Sequence, residues 1–552
     1  MDTLVDIFGY LTVVLNGINL VAMTMAFGSV LFLTCLALPL AAQLKLSADA
    51  VAEAGARYAR WGGIATAIAT LSSLTLNALV LSGTLEMPVL QVAGAFFIEA
   101  GIVQVLAAIA IVVVARGHMT RPRVAVLTAL ALLMLVASLA TSHAAARPGE
   151  RVWMLLATFS HILGAGLWLG GLPAFLSSLG QAQSRDEGAA IGQRYSLMSI
   201  TGVILIVLGA IGISIGFIGG LQGFYGTAYG AMAATKGVML GILLLLGLGN
   251  FRTIRRFAAG QGESLTRVRR FVEIEIAFAI AILLAAGSIT SQPPASDLTD
   301  DRATWAEVVE RMTPIIPPRL ESPSHDSLAI PALQEKLDQE WRNQQASNRP
   351  QAFVPGAGEL PPRNADDIAW SEYNHHWAGL VVLLVGLFAL LERAGVRWAK
   401  HWPLLFLILA GFLFLRSDPE TWPMGNVGFW DSFRDPEVVQ HRIFVVLIIA
   451  FTVFEWGVRT GRWKNQALAL VFPVLTTVGG DLLLTHNHAI SNIKEQLLIE
   501  LSHLFLAVLG VAAGAARWMQ IRGSGRDARW AGWIWPTCFV LVGLLLLAYR
   551  EA

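Results

Sequence analysis

Residues 485–503, THNHAISNIKEQLLIELSH, join the end of one apolar run to the start of the next. His486 and His488 stand one residue apart at the end of the first run, and Glu500 and His503 are three residues apart in the second. Glu500 and His503 therefore share one helical face. Polar groups in a lipid layer need partners, because uncompensated ones cost several kcal/mol. A metal ion is one such partner, and a structural hydrogen-bond network is the other.

The second run begins with a helix-start signal. Asn492 is followed three residues later by Glu495, which is the spacing of a capping box and predicts a helix that begins near Asn492. At about 1.5 Å per residue, His503 lies roughly 16 Å along that helix, near the edge of an apolar layer about 30 Å thick.

The composition indicates a polytopic membrane protein. Of the 552 residues, 55% are hydrophobic and only 14% are charged. The net charge of +1 gives no support to nucleic-acid binding. Cys35 and Cys538 are isolated in apolar runs, which argues against a disulfide framework and against a thiolate metal site.

Fourteen apolar runs are long enough, or nearly so, to span a bilayer. The predicted fold class is an all-α polytopic membrane protein of about 14 transmembrane helices, in bundles of eight and six with a small extracytoplasmic segment between them. The predicted domains are an eight-helix bundle over 1–290, an extracytoplasmic cap or linker over 291–373 and a six-helix bundle with the histidine cluster over 374–552. The middle segment is rich in proline and charge and contains no span.

Basic residues alternate between the connecting loops. Loops after odd-numbered helices are rich in arginine and lysine, whereas the short loops after even-numbered helices hold few. By the positive-inside rule the odd loops are cytoplasmic, so both termini are predicted to be extracytoplasmic.

The histidines favour one face of the membrane. Of eleven, only His118 and His401 map to the cytoplasmic side. Imidazole suits copper and zinc, so histidines on several helices at similar depth predict a shared metal site on the outer side. The candidate ligands are His161, His375, His376, His441, His486, His488, Glu500 and His503. Asp481 is a candidate to orient one of these imidazoles or to bind the metal itself.

The first bundle has ionisable residues of its own within apolar runs. Glu99 and Lys236 are predicted at comparable depth, where they either neutralise each other or form part of an ion pathway. His161 and Trp168 lie seven residues apart on one face of a glycine-rich helix, which suggests a tightly packed site or gate.

Several motifs resemble those of one known family. They are HILGAGLWLGG (161–171), GTAYGAMAATKG (226–237), NHHWAG (374–379), RDPEVVQHR (434–442) and LLLTHNHAISNIKEQLLIELSH (482–503). The first two resemble the CopD-type copper resistance membrane proteins. The last three resemble longer members of that family, which have a second C-terminal bundle. The first bundle is accordingly interpreted as CopD-like.

The resemblance implies a bacterial inner-membrane protein that handles copper delivered from the periplasm. It also implies a soluble CopC-type copper carrier as a partner, and import as the direction of transport. The expected function is copper capture at a histidine-rich periplasmic site, followed by transfer across the membrane. The expected cargo is a copper ion.

Two other interpretations fit the same residues. One is a membrane redox protein with haem b, in which His441 pairs with His503 or His488 as axial ligands and the haem reduces copper before capture. The other is a ligand-free structural membrane partner, in which the histidines only anchor helices. The sequence contains no P-loop, GxSxG or HExxH motif, so no enzymatic activity is expected unless haem is bound.

Overall fold

Apolar helices of membrane length make up most of this computed structural model. The structure describes residues 2–44, 47–85, 88–92, 94–147, 149–262, 264–299, 302–328, 365–485 and 493–551. Within these ranges, 13 helices are long and apolar enough to cross a membrane, and one shorter apolar helix accompanies them. The prediction of an all-α polytopic membrane protein with about fourteen spans is confirmed.

The first eight of these helices precede residue 291. They are α1 (Phe8–Leu44), α2 (Ala48–Leu85), α3 (Phe96–Val114), α4 (Arg121–Ala140), α5 (Arg151–Leu179), α6 (Arg185–Phe217), α7 (Ala228–Ala258) and α8 (Leu265–Ile289). Two of them contain a π-helical turn, at Leu33–Ala37 in α1 and at Gly166–Gly170 in α5. Such turns are rare and occur often at functional sites.

A short helix and six apolar helices follow. They are α9 (Trp305–Met312), α10 (Ala365–Arg393), α11 (Arg397–Arg416), α12 (Pro436–Arg459), α13 (Leu468–Leu484), α14 (Ile493–Arg522) and α15 (Gly525–Leu547). A capping box between Thr304 and Glu307 starts α9. The predicted capping signal at Asn492 lies outside the described residues.

The contacts divide the chain into two compact units. The N-terminal unit comprises Leu11–Leu221 and Lys236–Asp297. The C-terminal unit comprises Met1–Tyr10, Gln222–Thr235 and Leu298–Ala552.

Glycines allow the close helix contacts that position two of the candidate histidines. A Cβ added to Gly209 on α6 would lie 2.6 Å from the backbone nitrogen of His161, so only glycine lets α5 approach there. A Cβ on Gly379 would lie 2.7 Å from the nitrogen of Leu547, so the segment of α10 that carries His375 lies directly against the end of α15.

Aromatic side chains fill the core of the C-terminal unit. Trp402, Phe472 and Trp535 are almost completely buried, and the rings of Trp402 and Phe472 are centred 5.7 Å apart. Edge-to-face packing of this kind adds about 0.5–1.5 kcal/mol per pair beyond simple burial. This core gives the helices that carry the histidines a rigid base.

Candidate metal site

Two of the predicted ligands lie side by side in the C-terminal unit. The imidazole rings of His375 on α10 and His503 on α14 are centred 5.9 Å apart and are nearly perpendicular. Tyr549 follows α15 and stacks on His375 at 3.7 Å. Tyr549 is fully buried, and burial raises its pKa well above the usual value, so its hydroxyl stays protonated. Tyr549 was not among the predicted site residues, because it is the last residue of an apolar run and nothing in the sequence places it next to His375.

Both rings are fixed through the same nitrogen. His375 Nδ1 donates a hydrogen bond to the Ser371 carbonyl at 2.8 Å, and His503 Nδ1 donates one to the Ile499 carbonyl at 3.0 Å. Each carbonyl belongs to the preceding turn of the same helix. A proton on Nδ1 leaves the lone pair of the neutral ring on Nε2, which is the usual arrangement of a metal-binding histidine.

His441 is the third histidine of this group. Its Nδ1 lies 2.7 Å from Asp418 Oδ1, in the loop between α11 and α12. It is close enough to His375 for its charge to act on that ring. A carboxylate partner orients an imidazole and increases its basicity, as partners of metal-bound histidines do.

His376 has a different environment from its neighbour in sequence. Its Nδ1 accepts the backbone N–H of Arg319 at 2.7 Å, and its Nε2 donates to the Tyr549 carbonyl at 2.8 Å. Both ring nitrogens are therefore occupied, and none remains for a metal ion in this structure. The expectation that His376 is a ligand needs correction: it joins the segment before α10 to the chain after α15.

Of the remaining predicted site residues in this unit, the structure describes some and not others. Glu500 is buried on α14, one turn before His503. Asp481 is buried near the end of α13, and its Oδ1 has no hydrogen-bond partner among the described residues. His486 and His488 lie outside the described residues. Among the described residues, no group of three or more His, Cys, Asp or Glu side chains is arranged to hold a metal ion.

The segment before residue 329 covers this end of the C-terminal unit. Arg311 on α9 donates to the Leu498 carbonyl at 2.9 Å, and its guanidinium lies 4.4 Å from the centre of the Tyr549 ring. Arg319 forms an ion pair with the buried Glu372 on α10 at 3.2 Å. Residues 329–364 of the predicted cap or linker lie outside the described residues.

Acidic side chains lie in the loop next to His441. Burial raises the pKa of Glu420 to about 7, and the neighbouring carboxylates of Asp418 and Asp435 raise it further. Burial, with help from Glu437, raises the pKa of Asp435 to about 6. The folded protein therefore binds these protons more tightly than the unfolded chain does.

We expect stability to fall as the pH rises through this range. From the ordinary Glu value of 4.5 to about 7, the folded state keeps the Glu420 proton and the unfolded state releases it. The midpoint of thermal unfolding in detergent should therefore decrease across this range, and Glu420→Gln should remove much of that decrease. Asp431→Asn, in the same loop, should leave it unchanged. An equal pH dependence in wild type and Glu420→Gln would contradict the prediction.

The N-terminal unit holds the other predicted histidine. His161 Nδ1 donates to the Ile206 carbonyl on α6 at 3.0 Å, and Lys236 on α7 is close enough for its charge to act on His161. Glu99 is exposed in the first turn of α3, because that helix begins only at Phe96. The structure forms no ion pair between Glu99 and Lys236 in the part it describes, so mutual neutralisation was the wrong expectation.

A buried carboxylate that the sequence analysis missed lies in the N-terminal unit. Asn250 Nδ2 on α7 donates to Glu275 Oε1 on α8 at 2.6 Å, and both side chains line a cavity of about 320 Å³. Trp168, in the π-helical turn of α5, lines the same cavity. The sequence signal was the alternation VEIEIAF near the start of α8, which is equally typical of a helix end at the membrane surface.

The comparison with protein families identifies the region that contains this cavity. Residues 189–289 match the family model of copper resistance protein D, CopD. This part of the chain is similar to a CopD domain. The match covers α7, α8 and most of α6, and it confirms the predicted family resemblance over these residues. No curated protein and no solved structure matches the chain. The findings therefore show a chain with many apolar helices of membrane length, of which residues 189–289 are similar to a copper resistance family.

Proposed function

We propose that the protein captures copper at the His375–His503 pair and carries it across the bacterial inner membrane. Copper is the cargo, and the protein catalyses no chemical reaction on it. The observation that carries the proposal is the pair itself: two imidazoles from different helices, each fixed through Nδ1, with centres 5.9 Å apart. The similarity to CopD supports copper as the ion.

The geometry of the pair suits a shared metal ion. Metal–imidazole bonds of about 2 Å place two coordinating nitrogens at most about 4 Å apart. The ring centres lie 5.9 Å apart, and we propose that the two rings turn toward a bound ion to bring their Nε2 atoms to that separation. His441, which Asp418 orients, is a candidate third ligand, because it is close enough to His375 for its charge to act on that ring. His486, His488 and Glu500 stay predicted ligands. Asp481, which precedes His486 in the sequence, stays a candidate to orient an imidazole or to bind the metal itself.

A haem does not fit the same pair. A porphyrin bound by His375 and His503 would extend sideways from the line between the two rings. Tyr549 occupies that space on one side, with its ring centre 3.7 Å from that of His375 and 6.4 Å from that of His503. The haem b interpretation in which His441 pairs with His503 or His488 stays a prediction.

The proposed orientation places the pair at the periplasmic face, with both termini on that side. A soluble carrier of the CopC type would then deliver copper to the pair. The N-terminal unit, with its CopD-like region, His161 and Lys236, would provide a further part of the path. We propose inward movement because the family resemblance implies it.

Copper uptake into proteoliposomes tests this function. Full-length protein reconstituted in liposomes should accumulate copper above protein-free liposomes. His375→Ala combined with His503→Ala should reduce uptake to background, whereas His401→Ala, which alters a histidine bonded to Trp456, should not. Equal uptake by wild type and the double variant would contradict the proposal and favour a ligand-free structural role for the histidines.

A further inference from the structure

Glu275 is a buried carboxylate with two hydrogen-bond donors. It lies in the first half of α8 and is 2% exposed. Asn250 donates to one oxygen at 2.6 Å, and the Trp168 side chain also forms a hydrogen bond with the carboxyl group. These contacts fix the carboxyl group in one orientation without supplying any positive charge.

Glu275 has no cationic partner among the described residues. In the part of the chain that the structure describes, no arginine, lysine or histidine forms an ion pair with it or acts on it electrostatically. Tyr195 on α6 is close enough for the charge of Glu275 to act on it. An ionised carboxylate in the apolar layer is costly unless a cation accompanies it, and intramembrane carboxylates typically mark ion or proton pathways.

A cavity gives Glu275 access to its surroundings. Its volume of about 320 Å³ is several times the roughly 30 Å³ that one water molecule occupies in the liquid. Tyr195, Ser199 and Asn250 add polar groups to its wall. Ile204 on α6 and Leu248 on α7 are 54% and 42% exposed, so the cavity opens between these helices on the surface of the unit.

We propose that Glu275 is a proton-binding group that exchanges its proton through this cavity. The step is simple protonation: a carboxylate oxygen gains a proton when the group becomes neutral and returns it when the charge reappears. We further propose that this exchange is linked to copper movement, a part that rests on the proposed function. Such a linkage would supply a driving force without ATP.

The surrounding groups favour a proton over copper as the bound cation. Asn250 and Trp168 both present N–H donors to the carboxyl group, and donors of this kind repel a metal ion. Copper also prefers imidazole and sulfur ligands to a carboxylate. A proton binds one carboxylate oxygen and leaves both N–H donors in place.

Infrared difference spectroscopy tests the proton site without copper. Full-length protein in lipid nanodiscs is compared at acidic and alkaline pH, and the C=O band of a protonated carboxyl group is followed. Glu420 and Asp435 also contribute to this band. We expect a further component from Glu275 in wild type and its loss in Glu275→Gln. Glu273→Gln is the matched control, because Glu273 lies two residues earlier on α8 and forms an ion pair with Arg270 at 2.5 Å.

A second variant covers the possibility that Glu275→Gln does not fold. Asn250→Ala keeps the carboxyl group and removes one of its donors, so the band should persist and shift in frequency. A titrating band unchanged in both Glu275→Gln and Asn250→Ala would overturn the proposal. So would the absence of any titrating band in wild type.

Copper uptake under an imposed pH gradient tests the linkage. In proteoliposomes, the gradient should increase the initial rate at least several-fold in wild type and in Glu273→Gln, but not in Glu275→Gln. An initial rate of copper uptake by wild type that is the same with and without the gradient would overturn the linkage and leave the copper function intact. A titrating Glu275 in a protein that moves no copper would instead keep the proton site and contradict the proposed function.

Discussion

Glu455→Gln is expected to lower the free energy of unfolding of the C-terminal unit by about 3–5 kcal/mol. Glu455 on α12 is completely buried and accepts from Arg459 at 2.6 Å and from Arg517 on α14 at 2.8 Å. Arg459 also pairs with Glu392 on α10. Glutamine removes one of two negative charges that balance two buried guanidinium groups. An uncompensated buried charge then remains, which is the costly outcome when one partner of a buried pair is removed.

Aromatic side chains enclose this ion cluster. Trp402 donates to Glu392 at 2.8 Å, and the Arg459 guanidinium lies 4.8 Å from the Trp402 ring and 5.4 Å from the Trp535 ring. These contacts exclude water, so solvent cannot stabilise the charge left by the substitution. Tryptophan fluorescence during chemical unfolding in detergent reports directly on the cluster.

Two comparison variants separate burial from charge pairing. Glu310→Gln removes an exposed ion pair with Arg550 of similar length, 2.9 Å, and should cost only about 0–1 kcal/mol. Glu455→Leu combined with Arg517→Met removes both charges of one buried pair and should cost less than Glu455→Gln alone. A Glu455→Gln protein as stable as the Glu310→Gln protein would contradict the prediction.

Replacing His375 and His503 together by alanine should lower copper affinity by more than about 100-fold. Loss of a residue that only orients a metal ligand lowers affinity by up to about 100-fold, and loss of the ligands themselves should cost more. The two rings supply the nitrogens of the proposed site, so their removal leaves His441 without its neighbours. Competition titration with a coloured copper chelator measures the affinity of purified protein. His401→Ala is expected to bind copper as wild type does.

His376→Ala is the sharper comparison, because His376 adjoins His375 and bonds only main-chain groups. It should keep copper binding but lower stability, since each buried polar group left without a partner costs about 1–3 kcal/mol. The groups affected are the Arg319 N–H and the Tyr549 carbonyl. Loss of copper from a folded His376→Ala protein would contradict the assignment of ligands within the NHHWAG motif.

Hydropathy predicted the helices, because every membrane-spanning helix needs a long apolar run, whichever helices pack against it. It also placed His375 and His503 at similar depth, although on different helices. It could not tell His375 from His376, because adjacent residues on a helix face different partners and those partners lie far away in sequence. His376 bonds residues 319 and 549, whose position depends on the fold.

The buried charges were harder to find from sequence. Glu99 stood inside an apolar run and suggested a membrane site, but α3 begins only at Phe96. Glu275 and Glu455 lie near the basic ends of apolar runs and look like surface residues there. Their burial depends on Asn250, Arg459 and Arg517, which are brought together only by helix packing.

X-ray absorption spectroscopy at the copper edge of the copper-loaded, full-length protein tests the central claim most directly. The account predicts nitrogen ligands that show the outer-ring scattering of imidazole, and it predicts loss of this signal when His375 and His503 are replaced together. An identical spectrum from that double variant, or a wild-type spectrum without imidazole scattering, would contradict it.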